Sequence, residues 1–348
     1  YTLSGLSPDI RPQSFPQQEQ PHIVEAGGRL RLLLSWQTTR AVDKEYRLTI
    51  RLKSPTDRLL QQRDSGPVHD GYATSLWRVG EIVVDAHDIL VPVGTPPGLY
   101  DVEIGLYDPV DLQLLPVAGR QGLLTIGPVS IVRPQAKVRL GNLPRHSQPR
   151  PALTIPRGQF DYSLERLGIE HVLRSNLQNE FTLYGYGLSR RPLMPGQAVD
   201  VTLLWQAMRP PSGERVVFVQ LRDKDDRLWA SHEGQPGDGA YPTRQWLRDE
   251  VVRDVHTLQI PADMPDGMYY LQAGMYDPSG SPLTVLRLTR RSLDHVDLGA
   301  VEVCGRQRTR EIPPVQVTVN ARVGELARLV GGNIGVGEVG VGLSADGL

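Results

Sequence analysis

The sequence predicts an all-β chain built as two tandem antiparallel β-sandwiches of the immunoglobulin-like or jelly-roll-like kind. Three observations predict it: a gapless internal repeat, period-two apolar patterning within each copy, and tight-turn residues between the patterned stretches. "GLYDVEIGLYDP" at residues 98–109 returns as "GMYYLQAGMYDP" at 267–278. The stretch 36–109 aligns with 205–278 without a gap, and 24 of the 74 positions are identical. Two domain-sized copies imply a duplicated domain rather than a solenoid of short repeats.

The strands follow in order. Leu30, Leu32, Leu34 and Trp36 alternate, as do Val199, Val201, Leu203 and Trp205. Leu48, Ile50 and Leu52 match Val217, Val219 and Leu221, and Tyr100, Val102, Ile104 and Leu106 match Tyr269, Leu271, Ala273 and Met275. Such alternation predicts a strand with one face on a core and one toward water. Turns are predicted at Ala26-Gly27-Gly28, Met194-Pro195-Gly196, Pro96-Pro97-Gly98 and Pro265-Asp266-Gly267. Tyr-Asp-Pro at 107–109 and 276–278 ends a strand, because proline cannot continue a ladder. Gly105 and Gly274 mark a close packing point or a bulge.

The predicted boundaries are a loop or edge segment at 1–20, a first sandwich at 21–132, a linker at 133–177, a second sandwich at 178–304 and a Gly-rich tail at 305–348. The linker is rich in Pro and Arg and is expected to be extended, with a short helix near Ser163–Arg174. In the tail, Leu329–Ile334 echoes Leu183–Leu188 and reads as the opening strand of a third copy. The tail also holds a formal GxGxxG at Gly335–Gly340, but no βαβ pattern surrounds it, so it does not predict dinucleotide binding.

Bulk properties narrow the function classes. A chain of 348 residues is long enough for two cores. A net charge of −1 removes the global electrostatic case for binding nucleic acid or an anionic membrane. The apolar runs are far shorter than the roughly 20 residues a bilayer-spanning helix needs, so no transmembrane segment is expected. One cysteine, Cys304, cannot form an internal disulfide and leaves the compartment open. A first residue of Tyr1 rather than Met reads as a processed product or a fragment.

Two sets of polar and aromatic residues recur in both copies. Asp85 and His87, and equally Asp254 and His256, fall on the apolar face of a strand. Each pair is either a structural polar latch, since buried charges need partners, or a metal or ligand site; two candidate ligands per copy fall short of the three or four that zinc normally wants. Tyr72 and Trp77, with Tyr241 and Trp246, sit in loop-like segments. They either cap the sandwich or bind a sugar or a protein partner. Trp36 and Trp205 read as core. Asp223-Lys224-Asp225-Asp226 reads as a hairpin turn, because no glycine or closing glutamate completes a calcium loop. Arg133, Lys137, Arg139, Arg145, Arg150 and Arg157 read as charges on a solvated spacer or as contacts for an acidic partner or lipid headgroups. There is no GxSxG, HExxH, Walker loop or CxxC, so no catalytic residue, cofactor or metal site is nominated.

Three stretches carry a family resemblance: "LYGYGLSRRPLMPGQAVDVTLLWQA" (183–207), "YPTRQWLRDEVVRDVHTLQIPADMPDGMYYLQAGMYDP" (241–278) and "DLGAVEV" (297–303). They resemble the extracytoplasmic C-terminal β-sandwich of bacterial multi-pass membrane proteins similar to the dolichyl-phosphate-mannose type of glycosyltransferase, and of related envelope proteins. The resemblance covers 178–304, and 26–132 through the repeat. It implies a sandwich outside the cytoplasm, a polytopic or anchored parent, and work near glycans. It implies no catalytic residue here, because the catalytic carboxylates of such enzymes lie in their membrane portion. The first copy departs from the pattern with Thr38-Thr39 in place of Ala207-Met208, and with "VDLQLLPV" rather than "SGSPLTVL" after its Asp-Pro. The function expected is non-catalytic protein–protein assembly at the bacterial envelope, with envelope or membrane proteins as partners. The alternative is a carbohydrate-binding accessory module that contacts glycans. A hydrolase is the third reading, with no motif naming a nucleophile or base.

Overall fold

A computed structural model describes residues 10–12, 21–117, 120–146, 163–286, 293–306, 316–323 and 327–332. Its regular elements are strands and three one-turn 3-10 helices. Among the described residues no helix is long and apolar enough to cross a membrane. The chain divides into two units, Tyr1–Cys304 and Gly305–Leu348.

The first part of the larger unit contains β1 (Ile10–Pro12), β2 (His22–Glu25), β3 (Arg29–Thr38), β4 (Arg47–Lys53), β5 (Leu59–Ser65), β6 (Ile82–Leu90), β7 (Gly98–Tyr107), β8 (Pro116–Val117), β9 (Arg120–Gln121) and β10 (Leu124–Val132). One sheet runs β1-β3-β6 and the other β2-β10-β7-β4-β5, with β8 and β9 as a small separate hairpin. Leu34, Trp36, Val83 and Ile89 of the first sheet pack with Leu48, Ile50, Tyr100, Val102 and Ile131 of the second in one buried cluster. This is the sandwich that period-two patterning requires, since each sheet has one apolar face to bury.

Then come β11 (His171–Leu177), β12 (Phe181–Leu188), β13 (Ala198–Ala207), β14 (Val216–Arg222), β15 (Leu228–Gly234), β16 (Val251–Gln259), β17 (Gly267–Tyr276), β18 (Val285–Leu286) and β19 (Val296–Val303). Their sheets are β16-β13-β12-β11-β18 and β15-β14-β17-β19. Val201, Leu203 and Trp205 meet Val217, Val219 and Leu271 in a second core. The bounds of β3 to β7 and of β13 to β17 are offset by one constant spacing, strand for strand, and it is the spacing of the sequence repeat. Registers match as well: Ser35 faces Val84 across β3 and β6, and Leu204 faces Arg253 across β13 and β16.

The antiparallel expectation has an exception. β2 runs parallel to β10, with Val24 opposite Ile131, and the second sandwich has a single parallel bridge at Leu193 and Val303. Trp36 and Trp205 are core residues as expected. Gly105 and Gly274 are close packing points: a Cβ at Gly274 would lie 2.5 Å from the Phe218 ring, and one at Gly105 2.6 Å from Leu123.

The segment expected to be an extended linker is built differently in its described parts. No helix forms near Ser163–Arg174. A single turn ends at Gly168, whose φ of +72° leaves the helical region, and β11 starts at His171. Val138, Leu140, Leu164, Leu167 and Ile169 are buried, in a third cluster with Val93 of the first sandwich and Tyr184, Leu204 and Val251 of the second. Irregular spacing hid these apolar residues from a period-based reading. They fill a turn-rich layer between sandwiches, where neither 3.6 nor 2 is the relevant period.

Within the N-terminal segment expected as loop or edge, Ile10–Pro12 pair with Trp36–Thr38 at the edge of β3. In the smaller unit, β20 (Val317–Val323) and β21 (Ala327–Gly332) form an antiparallel hairpin. Only Leu329–Gly332 of the expected third-copy strand is described there. Asn333, Ile334 and the GxGxxG lie outside the described residues, as do Arg150 and Arg157.

Candidate functional site

The recurring residues gather at one end of each sandwich, around the segment that joins the two sheets. In the second sandwich the 3-10 turn Thr243–Gln245 follows Tyr241. Thr243 Oγ1 accepts from Arg215 N at 2.8 Å, and Trp246 Nε1 donates to the Tyr241 carbonyl at 3.1 Å. The first sandwich repeats both bonds: Tyr46 N donates to Thr74 Oγ1 at 2.8 Å, and Trp77 Nε1 to the Tyr72 carbonyl at 3.2 Å. The threonine and the indole therefore tie the loop to the sandwich.

These geometries decide the place of the four aromatics. Trp77, Tyr241 and Trp246 are buried, and Trp246 meets Phe181 edge-on with ring centroids 5.6 Å apart. Rings in those positions present no open face on which a sugar could stack. Tyr72 alone is half-buried, with its hydroxyl donating to the Glu81 carboxylate at 3.1 Å. Tyr241 makes the same bond to Glu250 at 2.6 Å. Burial, then Glu250, pushes the Tyr241 phenol above its ordinary value, so it stays protonated and acts as a donor.

Asp254 and His256 are both buried, with His256 Nε2 2.7 Å from Asp254 Oδ2. Asp254 also accepts the Gly237 amide at 2.9 Å. Burial pushes this carboxyl up, but the pull of His256 and these hydrogen bonds outweigh it and hold it below the usual carboxylate range. The other face of the ring, His256 Nδ1, meets His232 Nδ1 at 2.8 Å, so one of the two must accept. His232 is driven toward its neutral form by burial first and His256 second.

In the first sandwich Asp85 accepts the Val68 amide at 2.8 Å and the Trp36 indole at 3.4 Å. His87 Nε2 lies 2.7 Å from Asp85 Oδ1 but is not aligned as a hydrogen bond, and His69 stacks on the ring at 5.4 Å. Position 63, the counterpart of His232, is Arg63, which donates to the Asp88 carbonyl at 2.9 Å. In both sandwiches the aspartate of the pair fastens the loop before the strand to the strand itself. Among the described residues no group of three or more His, Cys, Asp or Glu side chains is placed to hold a metal ion. Asp223–Asp226 form the hairpin turn expected of them, with Asp223 accepting the amides of Asp225 and Arg227.

Several decisive contacts were not legible in the sequence, because they are made across the junction of the two sandwiches. Arg58 forms a two-pronged pair with Asp238, with both bonds at 2.9 Å. Arg133, expected on a solvated spacer, donates from Nε to the Tyr241 hydroxyl and to Glu250 Oε1 at 3.0 Å each, and from Nη2 to the Gln245 carbonyl at 2.8 Å. Lys137, from the same expected spacer, pairs with Asp249 at 2.7 Å. The Arg253 amide, on the edge strand β16, donates to the Gly94 carbonyl at 2.8 Å. Tyr184 donates to the Leu140 carbonyl at 3.1 Å. The Arg58–Leu59 dipeptide recurs at 227–228, yet only the copy in the first sandwich reaches this partner, so repetition alone gave no signal.

No family model matches the chain, and no curated protein matches it.

Proposed function

We propose that this chain is a non-catalytic, extracytoplasmic module of two duplicated β-sandwiches that serves protein–protein assembly at the bacterial cell envelope. The observation that carries the reading is the junction. Val93, Leu140, Leu167, Leu204 and Val251 share one buried cluster, and the Arg58–Asp238 and Arg133–Glu250 pairs lie beside it. Such a junction holds two sandwiches as a single body with fixed surfaces, which suits a spacer or docking platform. A second support is the exposed apolar set on the first sandwich, comprising Leu33, Leu76, Val79, Ile82 and Val84.

The carbohydrate-binding alternative loses its main argument where the candidate aromatics turn inward. A hydrolase would want a cleft with a nucleophile beside a base. The Asp–His pairs are instead enclosed, with each aspartate accepting a loop amide. The resemblance to glycosyltransferase-associated sandwiches supports the extracytoplasmic setting and envelope or membrane proteins as partners.

The test is purification of the native protein from its host's membranes in mild detergent, with mass spectrometry of what accompanies it. A stoichiometric, reproducible set of partner proteins is the expected result. A chain that emerges alone, or accompanied only by glycan, would overturn the assembly reading.

A further inference from the structure

In the second sandwich Arg133 fills a socket made of the Tyr241 hydroxyl, the Glu250 carboxylate and the Gln245 carbonyl. The same three acceptors exist at the matching positions of the first sandwich. Tyr72 OH lies 3.1 and 3.2 Å from the two Glu81 oxygens and 3.3 Å from the Leu76 carbonyl. Glu81 accepts the Arg78 amide at 2.8 Å just as Glu250 accepts the Leu247 amide. Among the described residues no cation forms an ion pair with Glu81. The socket is assembled, with a carboxylate at its base, and among the described residues no guanidinium is bonded to that carboxylate.

The surface beside it differs in a matching way. Leu76, Val79, Ile82 and Val84 are 64%, 62%, 50% and 56% exposed. Their counterparts are Gln245, Arg248, Val251 and Arg253. Val251 is buried in the cluster that contains Val93, and the Arg253 amide is bonded to Gly94 of the same loop. Val84 sits at the same register on β6 as Arg253 on β16, each at the open edge of its sheet. Its amide therefore points off the edge where Arg253's meets a carbonyl. At Val251 and Arg253 the first sandwich covers the second, whereas Ile82 and Val84 at the matching positions are bare and apolar; Gln245 and Arg248 are exposed, but polar where Leu76 and Val79 are apolar.

We propose that the Tyr72–Glu81 end of the first sandwich docks another β-sandwich of the same kind. This partner places the arginine of an Arg-Pro segment after its last strand between Tyr72 and Glu81, and rests an apolar loop on Ile82 and Val84. The proposal rests on the assembly reading above. A planar guanidinium spreads its donors over a rigid fork that spans a hydroxyl, a carboxylate and a carbonyl, whereas an ammonium offers its donors from a single point. The flanking apolar side chains supply area that an isolated ion pair lacks.

The probe is a synthetic peptide of Ile131–Val138, IVRPQAKV, added to the 348-residue chain, whose own Tyr241 socket is already filled. Amide and indole shifts are followed by NMR. The expected result is saturable movement of the Val84 amide and the Trp77 indole, with binding at least ~10-fold weaker when the peptide arginine becomes lysine. Glu81→Gln and Tyr72→Phe should each weaken it similarly, and Glu250→Gln should not. The proposal is overturned by an absence of shifts up to about 1 mM peptide, by equal binding of an Arg→Ala peptide, or by an unaffected Glu81→Gln chain. Equal binding of a scrambled peptide that retains arginine would overturn the sandwich as occupant. Partners that co-purify equally with Glu81→Gln sink this surface while sparing the assembly reading, whereas their absence from the wild-type purification sinks that reading.

Discussion

His232 and His256 meet through Nδ1 at 2.8 Å, beside Asp254 on one side and the Arg58–Asp238 pair on the other. A proton on each facing nitrogen would leave two donors and no acceptor. The folded state therefore resists protonating His232, whose pKa lies below the ordinary 6.5 because of burial and then His256. The unfolded chain takes this proton first, so this part of the stability is full above pH of about 6.5 and is lost as pH falls from there toward the folded value. Asp254, held below its ordinary value, contributes stability that is lost at lower pH, from about 4 downward. Replacing His232 by Gln keeps an acceptor and removes the titration. Thermal melting of His232→Gln should vary less between pH 7 and 5 than that of wild type, and equal slopes would exclude this role for His232. Trp246 tests the placement of the aromatics. As a buried ring against Phe181, its loss in Trp246→Ala should cost about 3–5 kcal/mol in urea unfolding. A cost under about 1 kcal/mol would return the ring to the surface and reopen a stacking role.

The elements that position the junction are loops and edges rather than strand interiors. The loop after β6 turns at Gly94, where φ is +80° and a Cβ would stand 2.7 Å from the Arg253 amide nitrogen. Only glycine allows that backbone to lie against the edge of β16. Gly94→Ala should break the Arg253–Gly94 bond and cost roughly 1–3 kcal/mol. Hydrogen exchange at the Arg253 amide reports it directly, and unchanged protection would mean that the loop does not need the glycine. Gly187 plays a comparable part on β12, where a side chain would run into the Gly168 carbonyl of the turn. The strand interiors were legible beforehand, because Leu34, Val201 and Leu271 follow a period of two. The turn at 163–168 was not, because one turn that buries Leu164 and Leu167 resembles the start of an amphipathic helix until Gly168 ends it.

At the scale of the whole molecule, the third apolar cluster decides whether the sandwiches of the larger unit behave as one body or two. Val93, Leu167, Leu204 and Val251 are all buried there. The flanking Arg58–Asp238 pair is partly exposed and contributes about 0.2–1 kcal/mol, so the coupling is carried mainly by apolar burial. Calorimetry of that unit should give one transition in wild type. Val93→Asp, which puts a charge into the cluster, should split it into two. A single transition in both would show that the junction does not set cooperativity.

The sequence by itself determined the alternating core strands, the two cores and the correspondence between them, because alternation, turn residues and an ungapped repeat can be read along the chain. It also placed Asp85, His87, Asp254 and His256 on core faces, since a residue's parity along a strand fixes its side. What it left open was decided between elements far apart in the chain. Arg133 meets Glu250 and Arg58 meets Asp238 only because one sandwich is packed against the other. The same packing buries Tyr241 beneath an arginine, while among the described residues no cation pairs with Glu81 beside Tyr72. Repetition makes two sandwiches alike in sequence; only their contact in three dimensions makes their surfaces different.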